Sequence, residues 1–399
     1  MLLLAMACSR SQLPPPSTPT GGGGGADVAS GAGGMGVGGR PVDGNGGATG
    51  AGGDIGDGGT KGGTGGGAAP AVDRTGALEI MRRVADYELT RFGVATNANW
   101  VRAVFYTGLL AFYRTTGDAK YLTATQAWGQ SNGWRLGTDS GGSVRWADNQ
   151  AAVQTYADLY LMNPVAANDV MVAAGRAAFD QMVAAPLAGR VEWWWEDALF
   201  MAPPALARIA QATPTRSAVY LNLLHTMWWD TKAFLYSDAN QLMWRDGTFI
   251  NTSFWSRGNG WVVAGIARLL DALPADDARR PDYEGLLRQM AGKLRTLQAD
   301  GFWRSDLLNP SAFPAQESSG TAFFCFAMAW GIHHGVLDRA TYLDAVLRAW
   351  TALGTAVSPA GRLGWVQAVG SKPGPTNAND TNDYATGAFL LAGTELLNL

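Results

Sequence analysis

From about Thr75 to the C-terminus the chain reads as a succession of helical segments punctuated by Gly, Pro and Asp, with almost no alternating strand pattern. No other feature limits the fold as strongly. Twelve helices are predicted, at 76–92, 99–116, 119–135, 148–163, 166–186, 195–212, 215–232, 257–272, 279–299, 317–335, 338–354 and 383–398. Their character alternates. The even-numbered segments, such as 257–272, 317–335 and 383–398, are rich in Ala, Gly and large apolar residues and carry few charges. The odd-numbered ones carry charged faces, as with Arg82, Arg83 and Glu88, or Arg279, Arg280, Glu284, Arg288, Lys293 and Arg295. An apolar inner set wrapped by an amphipathic outer set predicts an all-α fold of the (α/α)6 barrel type, a toroid of six hairpins. A faint internal echo supports repeated hairpins. Gly117-Asp118 with Tyr121-Leu122 before Trp128, and Asp338 with Tyr342-Leu343 before Trp350, each read as a capping Asp, a Tyr anchor and a helix running to a Trp.

The first part of the chain is different. Residues 21–67 are almost entirely Gly, Ala, Ser, Thr and Asp, and no aromatic residue precedes Tyr87. Such a stretch cannot bury enough surface to offset its ordering entropy, so 9–72 is expected to be a disordered linker ahead of a catalytic domain at 73–399. Residues 1–8, Met-Leu-Leu-Leu-Ala-Met-Ala-Cys, look like the end of a lipoprotein signal peptide with Cys8 as the acylated residue. A truncated secretory signal is the alternative, and both place the protein outside the cytoplasm, anchored or secreted.

Composition narrows the chemistry. The net charge is −3 with no basic run, so nucleic acid is not an expected partner. Only three histidines (His225, His333, His334) and one cysteine beyond the leader (Cys325) are present, and neither a metal site nor a cofactor is expected. Sixteen tryptophans are a large excess, of the kind carbohydrate-active proteins show. Three of them, Trp193-Trp194-Trp195, stand directly before Glu196-Asp197 and an apolar helical run. Aromatic planes stack on sugar rings, and their low polarity raises the pKa of a neighbouring acid. A core aromatic cluster with Asp197 as an N-cap would have the same sequence. The pattern recurs, however: Trp100, Asp148, Asp197, Arg257, Glu317 and Asp383 all fall at the N-terminal ends of even-numbered helices. In the predicted barrel those ends open on one face. A cation such as Arg257 opposes the helix dipole at that position and calls for an anion, for instance a substrate carboxylate. Glu196, about 100° away from Asp197 on a helix, reads as a solvated or capping residue.

These stretches resemble glycoside hydrolase family 105, the unsaturated rhamnogalacturonyl hydrolases. The matching segments include Trp146-Ala147-Asp148-Asn149-Gln150, Trp194 through Pro204, Phe254-Trp255-Ser256-Arg257-Gly258-Asn259-Gly260-Trp261, Glu317-Ser318-Ser319-Gly320 and Gly387-Ala388-Phe389. The resemblance implies an (α/α)6 barrel in which Asp197 is the general acid/base and Asp148 a second carboxylate. Trp100, Trp146, Trp194, Arg257, Trp261 and Glu317 would bind substrate. The implied reaction is hydration of the C4=C5 double bond of an unsaturated galacturonyl end. Asp197 protonates C4, water adds at C5, and the hemiketal opens to release the remaining oligosaccharide, with no enzymic nucleophile. A monomer acting on an oligosaccharide with an unsaturated uronic end is expected, touching membrane only through a lipid anchor. One departure bears on specificity: where the family often reads His-Ala-Asp-Asp, this chain has Trp146-Ala147-Asp148-Asn149. Two rival readings stand beside it, an inverting glycosidase on saturated sugars with Asp148 as base and Asp197 as acid, and a surface carbohydrate-binding lipoprotein without catalysis.

Overall fold

The computed structural model describes residues 72–92 and 97–399. Cys8, the expected signal segment 1–8 and the expected linker up to residue 71 lie outside the described residues.

The described chain is mostly helical. Twelve helices of ten residues or more are found among the described residues: α1 (Arg74–Phe92), α2 (Trp100–Thr116), α3 (Ala119–Ser131), α4 (Ala147–Met162), α5 (Val170–Ala184), α6 (Pro203–Ala212), α7 (Ser217–Leu235), α8 (Ser256–Ala272), α9 (Arg280–Thr296), α10 (Ser318–His333), α11 (Arg339–Thr355) and α12 (Asp383–Leu396). Each corresponds to one predicted segment. The predicted helix 195–212 is the clearest difference: it divides into a single turn, Ala198–Met201, and α6. The break falls at Ala202, where Pro203 removes a donor and cannot continue the preceding helix. One short antiparallel hairpin pairs Tyr236–Ser237 with Leu242–Met243.

The alternation read from the sequence is the alternation of burial. Every residue of α10 from Ser318 to Ile332 is buried, as an all-round apolar helix requires. In α9 the buried residues are Tyr283, Leu286, Leu287, Met290, Ala291 and Leu294, a single stripe at helical spacing. Each large side chain of this kind contributes about 1.5–3 kcal/mol on burial. The even-numbered helices are one another's neighbours in the order α2, α4, α6, α8, α10, α12, and α12 packs back on α2. The odd-numbered helices lie against this ring, α3 on α2, α5 on α4, α7 on α6, α9 on α8, α11 on α10 and α1 on α12.

The ring closes through a glycine contact. A Cβ on Gly108 of α2 would lie 2.2 Å from the carbonyl oxygen of Gly387 in α12. An alanine at either position would push the two helices apart. Asp118 and Asp338, read as caps, do cap α3 and α11, accepting from the backbone N–H of Lys120 and Thr341. Cys325 is buried packing, with burial pushing its thiol up to about 12.

Candidate active site

The N-terminal ends of α2, α4 and α8, with the turn before α6, enclose a cavity of about 270 Å³. Trp100 opens α2, Asp148 lies in the first turn of α4, Asp197 precedes the turn Ala198–Met201, and Arg257 and Trp261 belong to α8. Trp195, Met201, Arg245 and the loop residues Val369, Gly370 and Ser371 complete the lining. Wider grooves of about 510 and 640 Å³ run beside α11 at the outside of the ring. Neither brings together two carboxylates with raised pKa, as the cavity does.

Local geometry explains how the acids are held. Gln154 donates to the carbonyl of Phe200 at 2.7 Å, pinning the turn that follows Asp197. Asn149 donates to the carbonyls of Asp139 and Ser143, both at 2.8 Å, so the loop before α4 is tied to its first turn. Trp146 donates its indole N–H to Asp148 Oδ2 at 3.2 Å. Glu196 N–H donates to the Arg245 carbonyl at 2.8 Å, and Trp195 forms a bridge with Asp246, which brings the strand-like segment around Arg245 against the acid.

Both carboxyls hold protons more tightly than usual. Burial, then the charges of Asp197 and Asp139, push Asp148 up to about 7, against the opposing Trp146 N–H and Arg245. Asp197 is raised as well, chiefly by burial, while Arg245 and Arg257 pull it back. Its Oδ1 is buried without a hydrogen-bond partner. The Asp197 charge is one of the causes that raise Asp148, so the two carboxyls titrate as an interacting pair. Trp100 and Trp261, both in the lining, meet edge-on at 5.9 Å, and behind the lining Trp146 stacks on Trp195 at 4.5 Å and Trp194 lies 4.8 Å from Trp195.

Several expected roles are corrected by position. Arg257 is 1% exposed, and its guanidinium is already engaged: Nη1 donates to the carbonyls of Gln367 and Ala368 and to the Tyr384 hydroxyl, and Nη2 donates to Gly370 O. The anion its helix position called for is met by carbonyl oxygens of the 367–370 loop. Arg257 therefore fastens that loop over the cavity. Glu317 is fully buried and does not line the cavity; its carboxylate caps α10, accepting from Ser319 N–H at 2.8 Å and Gly320 N–H at 2.7 Å. Glu196 is not solvated and caps nothing. It is wholly buried, neither oxygen has a hydrogen-bond partner, and burial and the Asp197 charge raise its carboxyl well above the usual range. Its Oε1 fills the space a Cβ would take at Gly258, so a larger residue there would displace the Glu196 carboxyl.

Arg245 is the cavity residue that sequence reading missed. Its Nη1 pairs with Asp246 at 2.5 Å, its Nε is buried without a partner, and the guanidinium lies 5.2 Å from the Trp194 ring centre. It sits in a connection without helical periodicity, and only the pairing of that connection with Trp195–Glu196 reveals it.

This arrangement agrees with the relationships of the chain. The sequence profile of Glycosyl Hydrolase Family 88 matches residues 75–399. The chain belongs to that family. It is 35% identical over 327 residues to an unsaturated 3S-rhamnoglycuronyl hydrolase of Formosa agariphila, covering 75% of this chain and 85% of that one. It is 31% identical over 361 residues to an unsaturated 3S-rhamnoglycuronyl hydrolase of an Alteromonas species, covering 80% and 86%. A solved structure of a glycosyl hydrolase family 88 protein from Bacteroides vulgatus superposes with a TM-score of 0.75 at 30% identity, over 81% of this chain and 99% of that one. As a Family 88 member the protein is a glycosidase. The family profile covers residues 75–399, from one residue into α1 through α12.

Proposed function

We propose that this Family 88 enzyme removes a 4,5-unsaturated uronyl residue from the non-reducing end of oligosaccharides released by a polysaccharide lyase, in the manner of the family 105 unsaturated rhamnogalacturonyl hydrolases. The closed neighbour order of the six buried helices supports an (α/α)6 toroid, with the reaction at the end where their N-termini meet. The observation that carries the reading is the Asp148–Asp197 pair, two acids of raised pKa walled by tryptophan in a cavity of about 270 Å³, the scale of a single sugar ring.

Asp197 is the proton donor to C4 and then the base for the water that adds at C5. One tuned acid/base suffices, because the double bond and not the glycosidic bond is attacked. Asp148, hydrogen-bonded to Trp146, holds the sugar and keeps a proton within the pair. Trp100, Trp146 and Trp194 stack on the pyranose and the sugar that follows, while Trp261 supports the floor. Arg245, which lines the cavity, pairs with the uronate carboxylate. The names of the Formosa and Alteromonas relatives point to rhamnose as the next residue. Acting as a monomer, the domain would be carried on the 9–72 linker outside the cytoplasm, by a lipid on Cys8 if the leader is of the lipoprotein kind.

The reading is tested by incubating the protein with lyase-treated rhamnogalacturonan oligosaccharides and following the absorbance of the unsaturated bond. Loss of absorbance together with release of the shortened oligosaccharide is expected. Cleavage of saturated aryl glycosides with the unsaturated substrate untouched would replace it with an inverting glycosidase.

A further inference from the structure

The opposite end of the buried helices carries a second cluster of chemistry-bearing side chains. His333 ends α10, His334 follows it, Glu395 lies in the last turn of α12, and Asp271 in the last turn of α8. His333 Nδ1 is 3.0 Å from Glu395 Oε2. One ligand atom each from His333, His334 and Glu395 can be chosen so that all lie within 4.8 Å of one another. In a tetrahedral zinc site, with bonds of about 2.0–2.2 Å, ligand atoms stand roughly 3.4 Å apart. The His333–Glu395 separation is already close to that, and the separations to His334 reach at most 4.8 Å.

His334 is prepared for the task. A carbonyl can only accept, so the 2.9 Å contact of its Nδ1 with Trp330 O makes Nδ1 the donor and leaves the Nε2 lone pair free. The ring is clamped by stacking on Trp330 at 4.2 Å. Trp330 in turn donates its indole N–H to Asp271 Oδ1 at 2.7 Å, and that same oxygen lies 3.8 Å from His334 Nε2. Outer hydrogen bonds that fix tautomer and ring orientation are what metal-ligating histidines ordinarily have. The helix C-termini that meet here add negative partial charge, which favours a cation.

We infer that His333, His334 and Glu395, with Asp271 beside them, form a surface site for a borderline divalent transition-metal ion of the Zn²⁺ type, at the far end of the ring from the acid pair. Three protein ligands leave one position for water or an external ligand. The expectation of no metal rested on the small number of histidines. The third, His225, is committed elsewhere, to the Tyr283 hydroxyl at 2.9 Å and Asp277 at 3.1 Å. Two adjacent histidines and one carboxylate are nevertheless enough.

The test is isothermal titration of the untagged full-length chain with ZnCl₂, beside His333→Gln, His334→Gln and Glu395→Gln. One equivalent of Zn²⁺ should bind the wild type, and each variant should bind at least about tenfold more weakly. Zinc should raise the melting temperature of the wild type and not that of the variants, and hydrolysis in zinc-free buffer should be the same in all four. Substoichiometric binding by the wild type would overturn the assignment. So would equal binding by His333→Gln and His334→Gln, whose exposed positions leave the fold intact.

Discussion

Helix α4 carries two aspartates ten residues apart that have opposite electrostatic fates. Asp148, in its first turn, faces the cavity and is pushed up to about 7. Asp158, near its other end, is also buried, and burial alone would raise it. There Arg208 donates at 2.9 Å, Arg268 at 3.1 Å, and Arg114 lies within 3.6 Å, and these charges outweigh burial and hold it below the usual carboxylate range. Arg208 and Arg268 are themselves fastened, to Pro204 O and to Gln154 Oε1. Asp158 is thus a permanent anion that binds α4, α6 and α8 together. At Asp148 no guanidinium forms an ion pair, and the charge of Arg245 opposes burial without outweighing it. What separates these two acids is the number of guanidiniums paired with them, and not the depth of burial.

The largest expected effect is at the working end. Asp197→Asn keeps the side chain's shape and removes the transferable proton, so kcat should fall by about 10²–10⁴-fold with the melting temperature almost unchanged. Activity above half of wild type would remove Asp197 from the chemistry. At the other end, Asp158→Asn leaves two buried arginines without their anion and should lower stability by roughly 3–5 kcal/mol in urea denaturation. A loss below about 1 kcal/mol would mean that solvent reaches the cluster and the contrast along α4 fails.

The two cavity arginines separate the same way. Arg245→Lys should raise KM for the unsaturated uronide at least about tenfold, because lysine offers a point charge where a planar fork meets a carboxylate. On the methyl ester of the substrate the same variant should lose little further. Arg257→Lys should lose equally on acid and ester, since it fastens the 367–370 loop. If instead Arg257→Lys is selective for the acid, the carboxylate is read by Arg257.

The smallest effect concerns stability against pH. Folding raises Asp148 from 3.8 to about 7, so the folded chain binds more protons than the unfolded chain between those values. Ionised Asp148 therefore destabilises, and stability is lost as pH rises through that window. Asp148→Asn should remove the loss and be more stable than wild type at pH 8 by on the order of 1–3 kcal/mol, while turnover falls. Equal stability at pH 8 would place Asp148 in ordinary solvent.

How far these features were legible in the sequence depends on the range of the interactions that make them. The twelve helices, the caps Asp118 and Asp338, and the placing of Trp100, Asp148 and Asp197 at helix starts all follow from patterns a few residues long. Arg257 and Glu317 stand at the starts of their helices as expected but were misjudged in partnership, and Glu196 lies in the turn before Ala198 and not on a helix. The carbonyls that occupy Arg257 come from 110 residues further on. Glu317 is the helix cap its position always allowed, and Glu196 packs its carboxyl against Gly258 of the neighbouring α8. Arg245 had no periodic signal at all, since the segment between the hairpin and α8 is irregular.

The central claim is that the double bond, and not the glycosidic bond, is attacked, with Asp197 as acid. The most direct test uses a lyase-type disaccharide whose glycosidic oxygen is replaced by sulfur. Ordinary acid-assisted glycoside cleavage depends on protonating that oxygen, whereas hydration at C4 and C5 does not involve it. The wild type should consume the unsaturated absorbance of the sulfur-linked substrate at a rate comparable to the oxygen-linked one, and Asp197→Asn should consume neither. Rapid loss of the oxygen-linked substrate with the sulfur-linked one left intact would contradict the account.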